Sequence, residues 1–277
     1  MIAYPAVTQR DIRFHYDLAT PFYRLLWGRH IHHGLWSGDE SPTTAQEQLI
    51  DTMAARAVRP EDAVLDVGCG MGGSSIRLAR RFGCRVTGVT LSPVQRWWAA
   101  RAAQWHRVAG QTEFRRADAE QMVILPGSYD VVWSVECTEH LFDKPAFFRR
   151  AASWLRPGGR MAICAWLAAE PPHSPDAAQQ IRDVCEGFLC PSLATMSEYA
   201  GWMREAGLVQ VQCDDWTDRV LQTWEICLSR IRRARVAWLA RLFGQNAVCF
   251  LDRFETILRA YRTRAMQYGA FVFEAPK

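Results

Sequence analysis

Val64-Leu65-Asp66-Val67-Gly68-Cys69-Gly70-Met71-Gly72-Gly73 is the stretch that decides the fold. Its apolar run, from Ala63 to Val67, reads as a buried strand. The glycines that end it permit a tight turn and a close approach of a ligand to the backbone. Ser74–Phe82 reads as a helix whose free N-terminal N–H groups face that ligand. Working outward, Arg85–Thr90, Thr112–Arg116, Tyr129–Val135 and Arg160–Trp166 read as strands. Val94–Ala109 and Ala146–Leu155 read as helices, the second closed by Pro157-Gly158-Gly159. Strands alternating with helices predict right-handed crossovers and a mostly parallel sheet.

Gly68, Gly70 and Gly73 also satisfy the dinucleotide pattern G-x-G-x-x-G. Asp66 argues against a pyrophosphate there, since it repels an anion and welcomes an ammonium group. The acid expected about 20 residues further on to hold a ribose is missing, and Gly88-Val89-Thr90 stands in its place.

The flanks are helical. Asp11–Trp27 reads as a helix broken at Pro21, and Ser41–Val58 as a helix leading into the first strand. After Pro171-Pro172 the alternation stops. Pro175–Met203 reads as interrupted helix, Leu208–Cys213 as a strand, Thr217–Met266 as mostly helix and Gly269–Phe273 as a last strand. The expected architecture is one domain over residues 1–277. It has a helical lid (1–60), a cofactor-binding core (61–170), a helical cap (171–267) carrying one core strand near 208–213, and a final strand in 268–277. The fold class is α/β, a Rossmann-like, seven-stranded, mostly parallel sheet with helices on both faces and a helical cap.

Composition narrows the function. A net charge of +4 is too mild and too dispersed for a nucleic-acid partner. Twelve tryptophans suit a core or a pocket for a flat, apolar ligand. Nine cysteines with no C-x-x-C pair support neither a disulfide framework nor a metal site, and fit a reducing, cytoplasmic setting. No secretory signal and no membrane span are expected. Ser229–Phe243 forms a basic amphipathic helix, read either as a packed cap helix or as a weak peripheral membrane contact.

VLDVGCGMGG (64–73), GVTLSPVQ (88–95), RADAEQM (116–122), YDVVWSVECTEHL (129–141) and LRPGGRMAI (155–163) together resemble the class I S-adenosylmethionine-dependent methyltransferases. The branch most resembled is that of the γ-tocopherol methyltransferases, through YDLATPFYRLLWGRHIHHGLW (16–36), SEYAGWMREAGLVQVQCDDWTDRV (197–220) and YRTRAMQYGAFVF (261–273). The cyclopropane fatty acid synthases resemble it more distantly. They show a cysteine where Leu35 stands here, which argues against lipid cyclopropanation.

The resemblance implies S-adenosyl-L-methionine as methyl donor and S-adenosyl-L-homocysteine as product. Asp66, Gly68 and Gly70 would receive the donor's amino-acid end, Thr90, Leu91 and Gln95 its ribose, and Asp118 and Ala119 its adenine. Tyr16 and His33 from the lid, with Val135 and Glu136 at the end of the fourth strand, would complete the cofactor site. Glu139 and His140 are the first candidates to orient or deprotonate the acceptor, with His32 as a second. The acceptor is read as a small, apolar or aromatic molecule methylated at carbon, nitrogen or oxygen. Two other functions compete: a non-catalytic binding or assembly protein on the same fold, and a nicotinamide-dependent oxidoreductase.

Overall fold

The computed structural model of the chain describes residues 1–4, 6–233 and 245–277. In chain order the elements are β1 (Ile2–Ala3), α1 (Gln9–Leu26), α2 (Pro42–Ala57), β2 (Ala63–Val67), α3 (Gly73–Phe82), β3 (Arg85–Thr90), α4 (Pro93–Trp105), β4 (Thr112–Arg116) and β5 (Tyr129–Val135). A short 3-10 turn, Thr138–His140, leads to α5 (Lys144–Ser153) and β6 (Leu155–Ala168). Then follow α6 (Pro175–Phe188), β7 (Ser192–Leu193), α7 (Met196–Glu205), β8 (Val209–Asp215), α8 (Thr217–Val220), α9 (Gln222–Arg233), α10 (Gln245–Arg262) and β9 (Met266–Glu274).

Seven strands form one sheet in the order β4-β3-β2-β5-β6-β9-β8, and only β9 runs against its neighbours. This is the mixed, mostly parallel sheet expected from the sequence. Side chains alternate across it. Val64, Val131, Trp133 and Val272 pack toward α2 and α3, while Leu65, Val67, Val132, Ile163 and Phe273 pack toward α5 and α7. Both faces are covered, which is why the strands read as nearly unbroken apolar runs.

The strand order reverses between β2 and β5, which lie side by side with β3 and β4 on one flank and β6 on the other. A ligand crevice opens at the carboxyl ends of such a strand pair. The glycine loop Gly68–Gly73 follows β2, and Glu136–His140 follows β5.

Local chemistry sets the helices over this point. Thr8 caps α1 in a capping box with Asp11. Ser92 caps α4 by accepting the Gln95 N–H at 3.0 Å, with Pro93 in the first turn. The same Ser92 hydroxyl donates to Asp17 Oδ1 at 2.5 Å, fastening α1 across α4.

As expected, the stretch 175–203 is interrupted helix, two helices separated by β7, which pairs with β1 in a small antiparallel sheet. Two local expectations need correction. α1 continues through Pro21 rather than breaking there. The Thr20 hydroxyl donates to the Tyr16 carbonyl one turn back, at 2.5 Å, and the helix closes on Trp27 N–H to Tyr23 O at 2.8 Å. The last strand begins at Met266, three residues early, because Met266, Gln267 and Tyr268 pair with Ala168, Leu167 and Trp166. The basic segment 229–243 enters the described residues only at 229–233, the end of α9. Its remainder lies outside them.

Candidate active site

The donor side is built on backbone. Gly68 and Gly70 adopt φ values of +77° and +52°, a region that disfavours side chains. At Gly68 there is also no room, since an added Cβ would lie 2.3 Å from Cys137 Cβ and Sγ. A cavity of about 30 Å³ lies between this loop and the segment 29–32, bordered by His30, His32, Asp66, Gly68 and Val135. Asp66 is buried and accepts the Ser75 hydroxyl at 2.5 Å. Burial pushes its carboxyl up to about 7 against the opposing hydrogen bonds from Ser75.

Further along the strand ends, Thr90 Oγ1 donates to Gln95 Oε1 at 2.9 Å, and both side chains are buried. Leu91 beside them is half-buried. Asp118 accepts the Glu120 N–H at 2.9 Å and the carboxamide of Gln9 at 2.6 Å, with Ala119 half-buried next to it. The Gln9 NH₂ therefore makes the contact that an adenine amino group would make. An acid at the glycine loop, an open backbone at Gly70 and an NH₂-accepting carboxylate together fit S-adenosylmethionine.

The acceptor side is a second cavity, about 40 Å³, on the other side of His32. Tyr16, Trp27, Trp166, Phe188 and Trp224 supply its rings, and Glu136, Glu139, His33 and His140 its polar groups. Glu136 has φ +52° and sits at the end of β5. Its carboxylate accepts four hydrogen bonds: His33 N–H at 2.7 Å, His33 Nδ1 at 2.9 Å, Trp166 Nε1 at 2.9 Å and the Tyr268 hydroxyl at 2.8 Å. Burial alone would raise it, but His33 outweighs burial and holds it below the usual carboxylate range.

The histidines sort by their partners. Trp224 Nε1–H can only donate, so His33 Nε2 accepts from it and Nδ1 carries the proton toward Glu136. His140 Nδ1 faces the Leu189 carbonyl at 3.0 Å and must donate, so Nε2 accepts from the Tyr16 hydroxyl at 2.8 Å. Burial pushes His140 down to about 4. His32 Nδ1 donates to the His33 carbonyl at 2.7 Å, which leaves Nε2 as a bare lone pair, buried and without a hydrogen-bond partner. Burial also lowers His32, partly offset by the charge of Glu136.

Glu139 accepts the Trp166 N–H at 2.6 Å through Oε1, while Oε2 is buried and unpartnered. Burial pushes its carboxyl up to about 8, so it is mostly protonated at neutral pH. Lys144 anchors the turn behind it, donating to Leu141 O and Ser192 Oγ at 2.8 Å and to Glu139 O at 3.3 Å. Burial lowers this ammonium to about 8.

Among the named residues, Asp66, Gly68, Val135 and His32 border the smaller cavity, Tyr16, His32, His33, Glu136, Glu139 and His140 border the aromatic one, and Gly70, Thr90, Leu91, Gln95, Asp118 and Ala119 border neither. Tyr16 and His33, expected at the cofactor, line the aromatic cavity, where the Tyr16 hydroxyl is bound to His140 and both ring nitrogens of His33 are engaged. His140, expected as a base, has both ring nitrogens committed as well. Trp166, Trp224 and Tyr268 were not singled out from the sequence. The abundance of tryptophan was the only signal for the first two.

This sheet order, with a glycine loop at the switch point and a charged turn facing it, defines an S-adenosylmethionine-dependent methyltransferase fold. The mycolic acid cyclopropane synthetase family matches residues 5–260, and the chain belongs to that family. It resembles the probable tocopherol O-methyltransferase of Oryza sativa subsp. japonica, at 31% identity over 76% of this chain. It also resembles the 27-O-demethylrifamycin SV methyltransferase of Amycolatopsis mediterranei, at 33% identity over 89% of this chain. The matches span 62% of the rice protein and 91% of the Amycolatopsis one. Geranyl diphosphate C-methyltransferase from Streptomyces coelicolor, solved with S-adenosyl-L-homocysteine, shares the fold at a TM-score of 0.76 and 22% identity, covering 98% of this chain and 99% of that one. The protein is a methyltransferase that uses S-adenosylmethionine on a small molecule.

Proposed function

We propose that the protein methylates a hydroxyl oxygen on a small, apolar, ring-bearing acceptor. One observation carries this reading. Glu139 Oε2 and His32 Nε2 are both buried, both without a partner, and both belong to residues lining the cavity walled by Tyr16, Trp27, Trp166, Phe188 and Trp224. Buried polar atoms of this kind call for a ligand group, and a hydroxyl satisfies a donor and an acceptor at once.

S-adenosylmethionine supplies a methyl group already activated on a sulfonium. The chain's own work is to align the acceptor, exclude water and take one proton. Glu139, protonated at neutral pH, donates to the acceptor oxygen. His32 Nε2 receives the hydroxyl proton, and the nearby Glu136 carboxylate stabilises the imidazolium that forms. Tyr16 and His140 brace each other on the lid side, and Asp66 receives the donor's ammonium. A 40 Å³ cavity holds a water molecule or so, not a ring, so α1 and the segment 29–33 must lift to admit the acceptor. All eight described cysteines are unbonded, which supports a reducing, cytoplasmic setting.

The relatives named for tocopherol and rifamycin O-methylation support the hydroxyl acceptor. The test is transfer of labelled methyl to a panel of phenols, hydroquinones, amines and unsaturated phospholipids. Label on an oxygen of a ring-bearing acceptor is expected. Label on nitrogen or on an acyl chain overturns the reading.

A further inference from the structure

A third cavity, about 490 Å³, lies outside the two described above, between the C-terminal end of α1, α3 and α4. Its lining is strongly basic. Arg24, Arg29, Arg80 and Arg101 border it, and among the described residues none of them has a carboxylate within ion-pair reach. Arg77 shows the contrast, being paired with Glu47 and Asp51 at 2.7 Å. Glu47 also lines the cavity but is committed to Arg77, so four unpaired guanidinium groups around one cavity leave its field positive and favour a bound anion.

Two indoles complete the wall. Trp98 is half-buried and Trp105 is 84% exposed on the outer face of α4. An indole that far into water gains little from folding and offers a flat surface to a ligand. His30 borders this cavity and the donor cavity alike, is 4% exposed, and its Nδ1 is buried without a partner. Burial first pushes both His30 and His106 down, followed at His30 by the charges of His32, Arg77 and Arg29 and at His106 by those of Arg29 and Arg80. The volume is that of a small-molecule site and is several times what a lone phosphate fills.

We propose that this cavity binds a phosphate-bearing small molecule with a planar ring, the arginines holding the phosphate and Trp98 and Trp105 the ring. Guanidinium groups suit phosphate because their paired N–H donors match its oxygens. The site stands apart from the acceptor cavity, so the inference does not rest on the acceptor's identity.

The test is calorimetric titration of the full chain, saturated with S-adenosylhomocysteine, with phenyl phosphate, inorganic phosphate and phenol. Phenyl phosphate is expected to bind at one site per chain, about tenfold or more tighter than either fragment, and to weaken as salt rises. The double variant Arg80→Ala/Arg101→Ala, whose positions border neither of the other cavities, should lose about tenfold or more in phenyl phosphate affinity while keeping its Tm and its S-adenosylhomocysteine binding. Trp105→Ala, an exposed position, should lose the preference for phenyl phosphate over inorganic phosphate. No binding of phenyl phosphate in the millimolar range overturns the proposal, as does binding unchanged by the double variant. Retention on phosphatidylcholine vesicles carrying phosphatidic acid, with no competition by phenyl phosphate, also overturns it, because the surface is then a membrane contact.

Discussion

The two cavities that meet at His32 are made in opposite ways. On the side proposed for the donor, one contiguous motif, Asp66 to Ser74, meets the segment 29–32 and Val135, with Thr90, Gln95 and Asp118 near the neighbouring strand ends. The acceptor side is made of side chains from seven separate places in the chain: Tyr16, His32 with His33, Glu136 to His140, Trp166, Phe188, Trp224 and Tyr268. A constant ligand is held by a local, repeatable device. A variable one is held by an assembly that only the whole fold brings together. The donor side should therefore fail through backbone geometry, and the acceptor side through the loss of single polar atoms.

The largest effect is expected from His32→Asn. The amide NH₂ can take the place of Nδ1 and keep the bond to the His33 carbonyl, so the fold survives, but the Nε2 lone pair that takes the hydroxyl proton is gone. Turnover should fall about 10²–10⁴-fold with Tm little changed. A variant that keeps wild-type turnover would move the chemistry off this residue.

Glu136→Gln comes next, read in stability. One amide cannot accept from four donors, so buried N–H and O–H groups of His33, Trp166 and Tyr268 are left unpaired. Chemical denaturation should show a loss of about 1–3 kcal/mol. A loss below about 1 kcal/mol would mean that the network is not holding the site.

Gly68→Ala probes the donor side by itself. Its methyl would collide with Cys137 at a φ of +77°, and about 1–3 kcal/mol of backbone strain is expected together with weaker S-adenosylhomocysteine binding. Adding Cys137→Gly removes the collision and should restore part of both. If the double variant is no better than the single one, close approach of the two segments is not what requires glycine.

The smallest effect is a pH slope. Asp66 and Glu139 hold their protons more tightly folded than unfolded, so their contribution to stability is whole in acid. It is lost as pH rises through about 7 and about 8. His15 and His140 run the other way, with contributions that are whole above about 6.5 and lost as pH falls through about 4. The contribution of Lys144 is regained only above about 8. Between about pH 6.5 and 8 the two carboxyls act alone, so Tm should fall across that window, and less steeply in Glu139→Gln. A Tm that rises there would contradict the burial of both acids.

This contrast also explains what the sequence could tell. β2, β3, β4 and β5 match their expected bounds residue for residue; β2 and β5 do so because buried parallel strands are local apolar runs closed by turn residues, whereas β4 is a polar, largely exposed edge strand. Asp66, Gly68, Thr90 and Asp118 could be placed at strand ends from the sequence, because their spacing from those ends is itself the signal. Glu139 and His140 were legible as residue types after a strand, but not their roles. That both ring nitrogens of His140 are taken depends on Tyr16 and Leu189, 124 and 49 residues away in the chain. Pro21 misled in the same way. A proline is a local break signal, yet α1 is held on α4 by Asp17 and Ser92 and runs on. The two-residue pair of β1 and β7 is too short to leave any periodic trace.

The most direct test of the account compares the hydroxyl acceptor that takes the label with its hydrogen-for-hydroxyl analogue, by their affinities for the S-adenosylhomocysteine-loaded protein. If Glu139 Oε2 and His32 Nε2 hold that hydroxyl, the acceptor binds at least about tenfold tighter than the analogue, and the ratio falls toward one in Glu139→Leu. Equal affinities in the wild-type protein would contradict it, since two buried polar atoms would then gain nothing from the group they are meant to receive.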